Sequence, residues 1–63
     1  MSIGFKIKKL REERNLSQNK LAIELDISQS ELSKIENGRA KKIDFYFMIK
    51  VCAFFNIDFN FLA

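Results

Sequence analysis

The chain of 63 residues has no histidine, no proline and no tryptophan, and only one cysteine and two glycines. Each shortage removes a class of answer. With no histidine and with Cys52 alone, neither a disulfide framework nor a histidine-containing zinc site can be assembled. The same lack, joined to the absence of a glycine-rich phosphate loop, speaks against catalysis, and no metal or cofactor is expected. A lone thiol suits a reducing compartment, and within the apolar run from Ile49 to Phe55 it reads as a small buried hydrophobe. Without proline, and with glycine only at Gly4 and Gly38, no linker or low-complexity tract divides the chain, so residues 1–63 read as one domain. No apolar run approaches the ~18 residues of a membrane span, and Met1–Lys6 does not open a secretory signal. A cytoplasmic chain with no membrane attachment is the expectation.

Eleven Lys and Arg stand against eight Asp and Glu, a formal charge of +3. That balance favours a polyanionic partner, but it would equally keep an ordinary domain in solution. A domain of this size hides only about 60% of its unfolded surface, so its stability is thin and local signals carry weight.

Those signals are helical throughout. Ile3, Ile7 and Leu10 recur at spacings of four and three among charged residues, which predicts an amphipathic helix from Ile3 to about Arg14, ended by Asn15. Ser17 is an N-cap for a short helix over 18–25 with Leu21, Ala22 and Leu25 on its apolar side. After Asp26 and Ile27, Ser28 caps a third helix over 29–36 that buries Leu32 and Ile35, and Asn37-Gly38 supplies a left-handed stop. Glu31, three residues after Ser28, completes the pattern of a capping box. Asp44 caps a fourth helix whose expected buried stripe is Phe45, Met48, Ile49, Cys52 and Phe55, with Asn56 as its end. Asp58 starts a last turn in which Phe59 and Leu62 close the core. Ile27 and Ile57 each precede a cap, in the hydrophobic staple position.

The middle of the chain carries the functional signal. About three residues between helices 18–25 and 29–36 are too few for a parallel pair, so the two cross steeply. If Leu32 and Ile35 face inward, Gln29, Ser30, Ser33, Lys34 and Asn37 are left outside. That face is made mainly of amides and hydroxyls. Glutamine can meet the N6/N7 edge of adenine, serine either kind of base, and lysine the O6/N7 pair of guanine. The free N–H groups at the start of helix 18–25, with Gln18 and Asn19 in its first turn, suit a phosphate. Asn37, Arg39, Lys41 and Lys42 lie just past the third helix, where they could clamp a strand. A solvated glutamine and a solubilising basic loop are the plainer alternatives for Gln29 and for 39–42. Glu31 reads as the capping partner, with a contact to cytosine N4 left open.

Two stretches, Leu16-Ser17-Gln18-Asn19-Lys20-Leu21-Ala22 and Ile27-Ser28-Gln29-Ser30-Glu31-Leu32-Ser33-Lys34-Ile35-Glu36-Asn37-Gly38, resemble the helix-turn-helix family of the lambdoid phage repressors and Cro proteins, the XRE family. The resemblance runs from Ile3 to Leu62. It implies an all-α, five-helix lambda-repressor-like fold and sequence-specific binding of double-stranded DNA, with transcriptional repression by a homodimer on a pseudopalindromic operator. Carried over residue by residue, it implies base reading by Ser28, Gln29, Ser30 and Lys34. Phosphate contacts fall to Gln18, Asn37, Arg39 and Lys41, which join Asn19 and Lys42 in the expected phosphate-contacting set, and a structural ion pair falls to Arg11 and Glu36.

Two departures stand out. Ile43 occupies a place where most relatives have proline, and seven of the eight aromatic residues fall between Phe45 and Phe61. Positions 45, 46 and 47 point in successive directions about 100° apart, so one stripe cannot hide them all. Tyr46, Phe47, Phe59 and Phe61 are therefore the expected dimer interface, at the end through which relatives dimerise. The same surplus fits a rival class, a protein-binding module or antitoxin-type component whose partner is a toxin or a larger chain.

Overall fold

A computed structural model describes residues 2–62. Among them the chain forms five helices: α1 (Ile3–Glu13), α2 (Gln18–Glu24), α3 (Gln29–Glu36), α4 (Phe45–Phe55) and α5 (Phe59–Leu62). The fold is all-α and lambda-repressor-like, within 25 × 25 × 20 Å.

Side-chain oxygens start the first four helices by satisfying a first-turn N–H that has no partner inside the helix. Ser2 Oγ accepts from the Phe5 N–H at 3.2 Å, Ser17 from Lys20 at 3.0 Å and Ser28 from Glu31 at 3.0 Å. Asp44 Oδ1 accepts from Tyr46 at 3.0 Å. Each such cap contributes about 1 kcal/mol. Helix exits use the left-handed region, at Asn15 (φ 56°), Asp26 (φ 59°), Gly38 (φ 75°) and Asn56 (φ 55°). The three non-glycine residues are of the type whose short polar side chain tolerates that conformation. At α3 only Gly38 takes it, since Asn37 stays near the helical range at φ −89°.

Ile7, Leu21, Leu25, Leu32, Val51, Phe55 and Leu62 are the largest fully buried side chains, so all five helices feed one core. Helix α3 packs against both α1 and α2, and α5 against α1 and α4. Ile27 and Ile57 pack against the core from their places ahead of α3 and α5.

Helix α4 is rotated from the expected stripe. Phe47, Met48, Val51 and Phe55 are buried, Cys52 is half-buried, and Phe45 and Ile49 are exposed. Phe47, expected at a dimer surface, is only 8% exposed and is a core residue. The cause is plain in Phe45–Phe55, FYFMIKVCAFF, where Lys50 is the only charged residue. A helix apolar almost all round gives its own periodicity nothing to orient by.

Candidate nucleic-acid interface

Helices α2 and α3 are joined by a tight turn. The Asp26 N–H donates to Ile23 O at 3.1 Å and the Ile27 N–H to Ala22 O at 3.0 Å, which closes α2 and turns the chain through Asp26. Ile27, half-buried, then packs against the core and Ser28 opens α3. With Leu32, Ile35 and Glu36 buried, the opposite side of α3 is set by helix geometry: Gln29, Ser30, Glu31 and Lys34 are exposed, and Ser33 is half-buried.

The loop after α3 returns along this face. Ser30, Glu31, Ser33, Lys34, Arg39, Ala40, Lys41 and Lys42 line an open groove of about 480 Å³. Ser30 and Lys34 from the base-reading set thus meet Arg39, Lys41 and Lys42 from the phosphate set in one concave surface. Four cations border it, with Glu31 as its one acidic residue. Gln29 is exposed on the first turn of α3, outside the groove lining. The Ser28 hydroxyl is committed to capping. Asn37 is exposed, and its amide donates to Ser33 Oγ at 3.4 Å. Asn19 is exposed at the start of α2, apart from the groove.

Beneath α3 lies a polar network. Glu36, with a side chain 1% exposed, accepts from Arg11 Nε at 2.8 Å and Arg11 Nη2 at 3.1 Å. Gln18 Nε2 donates to the same carboxylate at 3.0 Å, and Arg11 Nη1 donates to Leu16 O at 2.9 Å. The hydrogen bond that Arg11 donates to Glu36, helped by the carboxylate's charge and opposed by burial, holds the guanidinium above its ordinary pKa. Glu36 is the last residue of α3 and Gln18 the first of α2, so the network locks both helices to α1. Gln18 is half-buried, and one end of its amide is turned inward.

Three positioning contacts escaped the sequence reading. Gly4 is buried on α1 where it crosses α3, and a Cβ there would collide with the carbonyl oxygen of Ile35 and lie 2.9 Å from its carbonyl carbon. A glycine inside an amphipathic helix was the available signal. Lys50 Nζ lies 3.5 Å from Leu25 O and 5.3 Å from the centre of the Tyr46 ring, tying the end of α2 to α4. Arg14 Nη2 donates to Phe55 O at 2.9 Å, over the Phe55 ring. No local pattern marks those two basic residues.

The expected capping box forms only by half. Ser28 accepts from the Glu31 N–H, but among the described residues the Glu31 carboxylate makes neither a hydrogen bond nor an ion pair.

The aromatic residues divide between surfaces. Phe45 (63% exposed), Tyr46 and Ile49 share the outer side of α4, and Phe45 meets Phe59 of α5 edge-on at 5.6 Å. Phe61 instead borders a groove of about 370 Å³ with Lys6, Lys9, Leu10 and Glu13 of α1.

A tightly joined helix pair whose second member turns its polar face toward a basic loop defines a helix-turn-helix domain. The chain belongs to that family: residues 4–63 match the family described as helix-turn-helix domain, which is not an enzyme fold. It is similar to a chain of a SinR protein–SinI protein complex, with a TM-score of 0.87 and 31% identity over 97% of its length, while spanning 59% of that chain. It is also similar to SinR, described as the master regulator for biofilm formation, in complex with DNA. There the TM-score is 0.85 and the identity 32%, over 95% of each chain. No curated protein sequence matches the chain. None of its described helices is long and apolar enough to cross a membrane.

Proposed function

We propose that this chain is a sequence-specific DNA-binding domain of a cytoplasmic transcriptional regulator, acting by occupying an operator as a homodimer. One observation carries the reading. The inward side of α3 is filled by Leu32, Ile35 and Glu36, so Ser30 and Lys34 are held outward in a groove shared with Arg39, Lys41 and Lys42. Its likeness to a DNA-bound SinR over nearly all of both chains supports the same assignment. Gln29, Ser30 and Lys34 read base edges, and Ser28 fixes the start of their helix. Arg39, Lys41 and Lys42 hold the backbone of one strand, while Asn37, Asn19 and the N–H groups at Gln18 approach the phosphates alongside.

A single α3 of eight residues is about 12 Å long and reaches one segment of major groove. A second copy doubles the sequence that is read and sets two reading helices one turn of DNA apart, about 34 Å. The surface for it is the ridge of Phe45, Tyr46, Ile49 and Phe59, which has the apolar exposure of an interface.

The same ridge supports the rival reading of a protein-binding module, as does the likeness to a chain found with SinI. Selecting bound duplexes from a random pool and measuring stoichiometry decides between the two. The expected outcome is an enriched twofold-symmetric site that takes two chains, with Phe59→Ser reducing the stoichiometry to one. Weak binding with no enriched sequence would refute the DNA reading.

A further inference from the structure

We infer that Glu31 is a base-selecting residue that accepts a hydrogen bond from the exocyclic amino group of a cytosine. This rests on the DNA-reading function proposed above and deepens it.

The inference starts from the missing half of the capping box. The bond that starts α3 runs from the Glu31 backbone N–H to Ser28 Oγ, and it leaves the carboxylate unused. The side chain is exposed on the first turn of the reading helix and lines the groove together with Ser30 and Lys34. Arg39, Lys41 and Lys42 border the same groove, yet none of them, nor Lys34, comes within ion-pair distance of it. Glu31 also borders a second groove of about 200 Å³ that runs toward Ile43, Tyr46 and Lys50. It therefore stands at the rim where the recognition face meets the body of the domain, with solvent on its open side.

A carboxylate can only accept hydrogen bonds, and this decides what it can face when DNA fills the groove. Phosphate oxygens, guanine O6 and N7, and thymine O4 are all acceptors and would repel it. Adenine offers its N6 amino group, but beside the N7 acceptor. Cytosine alone presents a donor, N4, with no acceptor of its own next to it in the major groove. The surrounding lysines and arginine bring phosphates close, so a carboxylate among them would oppose binding unless it sits over a base edge that donates. Its role is to make binding conditional on cytosine.

The test compares the natural chain with Glu31→Ala and Glu31→Gln on duplexes in which every position of the selected half-site carries each of the four bases in turn. No buried contact and no capping bond is lost in either variant, and unchanged helical circular dichroism checks this. The natural chain is expected to favour cytosine at one position of each half-site by roughly tenfold or more. Glu31→Ala should lose that preference at that position alone while binding unrelated DNA more tightly. Glu31→Gln should shift the preference toward adenine, whose N6 and N7 a glutamine can meet together. An Ala variant whose base profile is unchanged at every position, with affinity raised uniformly, would overturn the inference while leaving the DNA-reading function standing. Failure of the natural chain to favour any sequence would overturn both.

Discussion

Arg11 and Glu36 meet fork to fork, Nε to Oε2 at 2.8 Å and Nη2 to Oε1 at 3.1 Å, with the carboxylate almost wholly withdrawn from water. The pair joins the last turn of α1 to the last residue of α3. A bidentate pair in this setting fixes orientation as well as distance, and cutting it leaves an uncompensated charge in the interior.

Glu36→Ala should therefore cost about 3–5 kcal/mol, comparable with the whole stability of a domain this small. Such a chain would be largely unfolded at room temperature by circular dichroism. Glu36→Gln keeps the shape and one acceptor, so its urea midpoint should fall between that of the natural chain and that of the alanine variant. Arg11 contributes no loss across the neutral pH range. Its folded pKa is raised, so its share of stability is complete below the ordinary arginine value and disappears only as pH climbs through the folded one.

Gly4→Ala reverses a familiar sign. In an open helix interior the change would stabilise by about 1 kcal/mol. Here the added methyl group runs into the backbone of Ile35, so α1 and α3 must separate, and a loss of about 1–3 kcal/mol is expected in chemical denaturation. Gly38→Ala provides the contrast. Nothing lies within 4 Å of a Cβ there, but the φ of +75° is strained for alanine, and the cost should be about 1–2 kcal/mol from the backbone alone. Gly38→Asn should recover most of it.

Reading and clamping should separate in binding titrations. Gln29→Ala is expected to weaken the selected site by about 1–3 kcal/mol and to relax discrimination at one base pair. Lys41→Ala or Arg39→Ala should weaken all sequences alike and lower the slope of log affinity against log salt by roughly one. Identical behaviour of the two kinds of variant on random and selected duplexes would dissolve the distinction between their roles.

Much of this architecture was legible locally. Ser17, Ser28 and Asp44 were readable as caps because a short hydroxyl or carboxylate before an apolar period has one economical use, and each accepts a first-turn N–H. The exposed face of α3 followed from Leu32 and Ile35, since polar neighbours make the inward direction unambiguous. The spacing of Ser28 and Glu31 predicts a full capping box, yet the same spacing holds whether the carboxylate bends back to the backbone or extends into solvent, and only the Ser28 half forms.

The chain's own chemistry thus determined where five helices begin and end and which sides of the first three turn inward, for those choices depend on contacts within a turn or two. Three matters were left to the packed whole. They are the rotation that buries Phe47 and exposes Phe45 and Ile49, the closeness of Gly4 to Ile35, and the assembly of Ser30, Lys34, Arg39, Lys41 and Lys42 into one groove. Each depends on residues distant along the chain or on a helix with no polar side to steer it, and only the lowest-energy packing of all five helices could select among the alternatives.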